Sequence, residues 1–105
     1  MSIPRGTTPI NYFTVPLDLS EAAVVYLTYA QNGKTVVEKE KDDITFTAED
    51  ETYEMSVQLT QADTLAFCDK SPVDMQIRVR FADGNAIEST IMRTSVDRIL
   101  KDGVI

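Results

Sequence analysis

Residues 73–90 read VDMQIRVRFADGNAIEST, and their alternation decides the fold. Val73, Met75, Ile77, Val79 and Phe81 fall on one face and Asp74, Gln76, Arg78 and Arg80 on the other, the period of a half-buried strand. Asp83-Gly84 then turns the chain. A two-residue turn there would set Val79 opposite Glu88 and bury a carboxylate at a core position. A three-residue loop, Ala82-Asp83-Gly84 with Gly84 left-handed, instead pairs Val79 with Ile87, Ile77 with Ser89 and Met75 with Ile91, and aligns Arg78 with Glu88 outside. Burying an unpaired carboxylate is costly, so the second register is expected.

The same signals recur upstream. Residues 22–31 (AAVVYLTYAQ) are rich in Val, Tyr, Leu and Thr, which suit a pleated surface. Asn32-Gly33 follows, the strongest short hairpin signal, with a return strand over 34–41. Two registers are open there. A two-residue loop sets Tyr29 opposite Val36 and Leu27 opposite Glu38; a three-residue loop sets Leu27 opposite Val37. Ile10 to Val15, preceded by Pro9 and closed off by Pro16, read as an edge strand over about 8–15. Residues 44–47 form a short strand, and Tyr53, Met55, Val57 and Leu59 alternate over 52–59, all four facing inward. Thr60-Gln61-Ala62-Asp63 has the Thr-x-x-acid pattern that caps a helix, so a helical turn or two is expected before Pro72.

About seven strands with turn signals at sandwich spacing, and a short helix in the crossover near 60–67, give an all-β immunoglobulin-like β-sandwich. The absence of Trp and of a cysteine pair separates it from antibody-type domains. Residues 1–105 form one domain, with 97–105 as a C-terminal tail, a size that supports a core without metal or disulfide. Val96, Ile99, Leu100, Val104 and Ile105 keep the end of the chain apolar. They either pack back on the sandwich or dock on a partner, and they are the candidate interaction residues.

Composition narrows the function. There is no His, so the usual general base, zinc ligand and nucleophile partner are missing. No GxSxG, phosphate-cradling loop, CxxC or nucleotide fingerprint is present, so no catalytic residue and no cofactor or metal is expected. Seventeen acids against ten bases give a formal charge of −7, with the bases scattered singly. That disfavours a phosphate backbone, so no nucleic-acid partner is expected. No secretory core and no apolar run of roughly 18 residues occurs, so neither a signal peptide nor a membrane partner is expected. Asp42-Asp43 and Glu49-Asp50-Glu51 fall in turns and lack the spacing of a calcium loop. Tyr12, Tyr26, Tyr29 and Tyr53 read as core or sheet cover, and Phe67-Cys68 as packing residues with a free thiol.

Five segments together carry a family likeness: IPRGTTPINYFTVPLDLS, VVYLTYAQNGKTVVEKEKDD, VQLTQADTLAF, QIRVRFADGNAIES and SVDRILKDGVI. Over nearly its whole length the chain resembles small prophage-encoded proteins from Gram-positive gut bacteria, whose sandwich is similar to the N-terminal immunoglobulin-like modules of baseplate upper proteins. The resemblance implies a non-catalytic structural or accessory role at a phage tail or baseplate, working by protein–protein contacts or self-association. It also implies a location in the bacterial cytoplasm during assembly, with the virion as a further site. A carbohydrate- or cell-surface-binding sandwich is the alternative. The resemblance supplies no ligand motif and so assigns no functional residue.

Overall fold

In the computed structural model, which describes residues 1–105, nine strands and one α-helix follow in order, with a 3-10 turn at Lys41–Asp43 between the fourth and fifth strands. They are β1 (Ser2–Pro4), β2 (Ile10–Val15), β3 (Val24–Gln31), β4 (Lys34–Glu40), β5 (Ile44–Glu49), β6 (Thr52–Gln58), α1 (Gln61–Leu65), β7 (Val73–Arg80), β8 (Ala86–Glu88) and β9 (Met92–Asp97). One sheet has the order β1-β9-β7-β3-β4 with β8 beside β7; the other is β2-β6-β5. Taking β2, β3, β5, β6 and β7 as strands B, C, D, E and F, β4 as C′ and β8–β9 as a broken G, the sheets are B-E-D and G-F-C-C′. That is the pairing of an immunoglobulin-like sandwich. Phe13, Met55 and Val57 from one sheet meet Leu27, Tyr29, Met75 and Ile77 from the other in a single core. Tyr53, expected to face inward with Met55 and Val57, is only half-buried.

The closing hairpin takes the three-residue register at its turn, with Val79 opposite Ile87, Arg78 opposite Glu88, and Gly84 at φ +92°. Beyond Ser89 the expectation fails, because Met75 pairs with Met92 and not Ile91. The reason is local. Ile77 N donates to the Ser89 hydroxyl at 2.9 Å, where a ladder would supply a backbone carbonyl, while Ser89 N donates to Ile77 O at 2.8 Å. The chain bulges, strand G breaks in two, and Ile91 is left in solvent.

The Asn32-Gly33 hairpin obeys neither register throughout. Asn32 (φ 52°) and Gly33 (φ 77°) make a two-residue turn that pairs Gln31 with Lys34. A register shift at Tyr29/Ala30 then places Tyr29 opposite Val37 and Leu27 opposite Lys39. Without that shift Glu38 would face Leu27 inside the sandwich; with it Val37 is buried and Glu38 is outside.

Strand β1 was not expected, since a single apolar residue between Ser2 and Pro4 carries no alternation. Its Ile3 is fully buried and pairs with Val96 in a parallel ladder to β9. With β1 on that sheet, β2 keeps an open edge, flanked by Pro9 and Pro16, which cannot donate to an incoming strand. The helix forms as its capping residues dictate. Asp63 N donates to Thr60 Oγ1 at 3.0 Å and Thr60 N donates to Asp63 Oδ2 at 2.9 Å. Gln31, buried at the end of β3, ties down the segment after α1. Its Nε2 donates to Cys68 O (2.7 Å) and Ser71 O (2.9 Å), and its Oε1 accepts Cys68 N–H at 2.8 Å.

Candidate interaction surface

The five residues expected to make a terminal docking arm do not form one surface. Val96 is withdrawn from the set: β9 continues through Asp97, so Val96 is an inward strand residue, 9% exposed and opposite Ile3. Ile99 is half-buried, and its Cδ1 would lie 2.9 Å from a Cβ at Gly6, so it packs on the β1–β2 loop. Leu100, Val104 and Ile105 stand 96%, 67% and 88% exposed. Polar contacts tie down the end of the chain. Ile105 N donates to Gln61 Oε1 at 2.9 Å, and Arg5 Nη2 lies 3.5 Å from Asp102 Oδ1.

Other residues singled out by sequence also separate. Cys68 is exposed, because α1 ends at Leu65 and only Phe67 of the pair turns inward, its ring centroid 5.9 Å from that of Tyr29. Of the tyrosines, Tyr29 is core. Its hydroxyl has no partner, and burial, with a smaller contribution from Asp63, raises it above the usual phenol range. The acidic turns bring no three potential ligands together.

The strands do assemble a surface on the outer face of the larger sheet. Pairing sets Tyr26 of β3 between Glu40 of β4 and Arg78 of β7, and Thr28 between Glu38 and Gln76. On the next row the other way, Val24 stands beside Arg80. The columns therefore differ in charge: acidic on β4, neutral on β3, basic on the upper part of β7. Tyr26, Thr28, Ala30, Glu38, Gln76 and Arg78 line a shallow hollow of roughly 480 Å³, left because Thr28 and Ala30 are small beside Tyr26.

Electrostatics on this face are unfinished. The chain's ion pairs are Arg5–Asp102, Lys39–Asp63 and Arg93–Asp74. Arg78, Arg80, Glu38 and Glu40 are all exposed and take part in none, although Arg78 is in register with Glu88. At the lower rim, Arg93 Nε lies 2.8 Å from Asp74 Oδ1 and holds that carboxyl below its usual range. Alternation in VDMQIRVR does put Arg78 and Arg80 outside. Which of Glu38 and Lys39 joins them depends on a bulge that no residue in KTVVEKE announces.

No protein-family model matches the chain, and no curated protein matches it. Among solved structures it is similar to the V domain of amphioxus IgVJ-C2, with 13% identity and a TM-score of 0.38, covering 92% of this chain and 99% of that domain. The fold rests on the strand pairing described above, and on that pairing the chain is an immunoglobulin-like β-sandwich.

Proposed function

We propose that the chain is a non-catalytic module that works by protein–protein contact, with the tail or baseplate of a prophage-encoded particle as its setting. The observation that carries this reading is the outer face of the larger sheet, where unpaired arginines and glutamates flank an exposed tyrosine. Exposed charges of both signs around an aromatic residue suit a protein partner, since complementary charge steers encounter and fixes register while Tyr supplies contact area. The hollow beside Tyr26 holds no acid–base pair poised for proton transfer; Asp74 at its rim is kept ionised by Arg93. The setting comes from the resemblance of the five quoted segments.

The test is co-fractionation. Particles and assembly intermediates from induced host cells are separated on a gradient and probed for the chain, as wild type and as Tyr26→Ala/Arg78→Glu. Wild type in those fractions and loss of the variant support the reading. Absence of the wild type, or full retention of the variant, overturns it. Glycan-array binding that the same variant loses would move the assignment to the carbohydrate alternative, for which Tyr26 in a polar hollow is the support.

A further inference from the structure

Resting on that reading of the face, we infer that its partner is a second copy of this chain, docked face to face about a twofold axis running along β3. The charge pattern selects both occupant and orientation. A twofold axis along β3 exchanges left and right while keeping each row at its level. It lays β4 of one copy over β7 of the other. Glu40 then meets the partner copy's Arg78, because both flank Tyr26 in one row. Arg80, one row further, lies towards the turn Lys41–Asp43 that follows β4 and borders Val24, and Glu38 faces the neutral Gln76. Every such contact occurs twice, as an isologous interface demands. A twofold axis across the strands would lay β4 on β4 and β7 on β7, setting glutamate against glutamate and arginine against arginine. Only the first arrangement pairs the charges that the monomer leaves unpaired.

Packing agrees with this choice. Sheets stack with strands roughly aligned, and the copies would do the same with Tyr26 close to the axis. The centre of the contact is then aromatic and neutral, ringed by charge. The whole-molecule charge of −7 opposes association, but at physiological salt it is screened beyond about 8 Å, whereas facing charges are not. The axis along β3 overlaps β4, β3 and β7 only, and three strands about 4.8 Å apart and eight residues long give a footprint of roughly 380 Å² per copy. That is below the ~800 Å² of a standard interface, so a concentration-dependent dimer is expected.

The experiment is a charge exchange read by light scattering and sedimentation. Glu38→Lys/Glu40→Lys and Arg78→Glu/Arg80→Glu are each expected to weaken self-association at least about tenfold, with circular dichroism melts confirming that both fold. Mixed together, the two variants are expected to recover the dimer, since the introduced lysines face the introduced glutamates at one contact and the native arginines face the native glutamates at the other. Raising salt is expected to weaken the wild-type dimer. Variants that dimerise as well as wild type, or folded variants that fail to recover a dimer on mixing, overturn the inference. A wild type that stays monomeric into the millimolar range also overturns it. If such a monomer still enters particles in a Tyr26-dependent way, the contact-module reading stands and only the identity of the partner changes.

Discussion

Lys39 Nζ lies 2.8 Å from Asp63 Oδ2, and that same oxygen accepts the Thr60 N–H at 2.9 Å. One carboxylate thus caps α1 and neutralises an ammonium projecting from β4, joining a hairpin strand to the crossover helix. Both side chains are largely withdrawn from water, at 15% and 21% exposure. Lys39 is available for this role because the β3–β4 register shift turns it inward in place of Glu38. Its long apolar stem crosses the sandwich margin, and its charged end finds an acid there.

Acidification should therefore act through Asp63. Burial alone would push its carboxyl up, but the Lys39 and Thr60 hydrogen bonds outweigh burial and hold it below the usual carboxylate range. A depressed folded value means the stabilisation is complete above the unfolded value, near pH 4, and is lost as pH falls through the lower folded one. Asp63→Asn should cost about 1–2 kcal/mol at neutral pH. The gap to wild type should narrow in urea melts as pH falls below about 4 and through the lower folded value. A gap independent of pH would show that the carboxylate charge is not what matters.

Tyr29→Phe should be neutral or stabilising. The ring packs on Phe67 in the core, but its hydroxyl is buried without a partner, so removing it relieves a desolvated polar group and opens almost no cavity. A gain of up to about 1 kcal/mol is expected in thermal or urea unfolding. A loss of more than that would mean the hydroxyl is hydrogen-bonded in solution.

Alternation made β3, β6 and β7 readable, because each has one face in the core and a one-residue slip would turn that face to water. The capping pattern made α1 readable, since Thr60 and Asp63 satisfy specific N–H groups. Three features were hidden. β1 rests on one buried residue, Ile3, whose parallel partner lies at the other end of the chain. The two bulges depend on tertiary accounting: a serine hydroxyl replacing a carbonyl at Ile77, and a lysine preferred to a glutamate beside Leu27. The interaction face shared that difficulty, because Arg78 follows from alternation while Glu38 and Glu40 gain their facing only from the bulge. The apolar tail misled for the converse reason. Val96 looks like its neighbours in sequence but belongs to a strand.

The β5–β6 turn offers a direct gain. Asp50 (φ 43°) and Glu51 (φ 70°) occupy the left-handed positions of a two-residue turn between Glu49 and Thr52, where Asn-Gly is the relaxed sequence. Replacing Asp50-Glu51 by Asn-Gly should stabilise by about 1 kcal/mol. The converse exchange, Asn32-Gly33 to Asp-Glu, should destabilise by a similar amount, as the same conformation is required there. Thermal melts of both variants moving in the same direction would refute the assignment of strain to these turns.

The two ends of the chain should respond oppositely to mutation. Ile3→Ala removes a fully buried side chain where β1 closes on β9, leaving a cavity that its neighbours cannot fill, at a cost of about 2–4 kcal/mol. Deleting 100–105 removes exposed apolar side chains, the Gln61–Ile105 bonds and a 3.5 Å ion pair whose Asp102 is mostly in water, and should change stability by less than about 0.5 kcal/mol. Self-association through the sheet face should survive the truncation, because none of Glu38, Glu40, Arg78 or Arg80 lies in it. Light scattering on the truncated protein decides between face and tail. A truncated chain that melts like wild type yet becomes monomeric would return the docking role to Leu100, Val104 and Ile105.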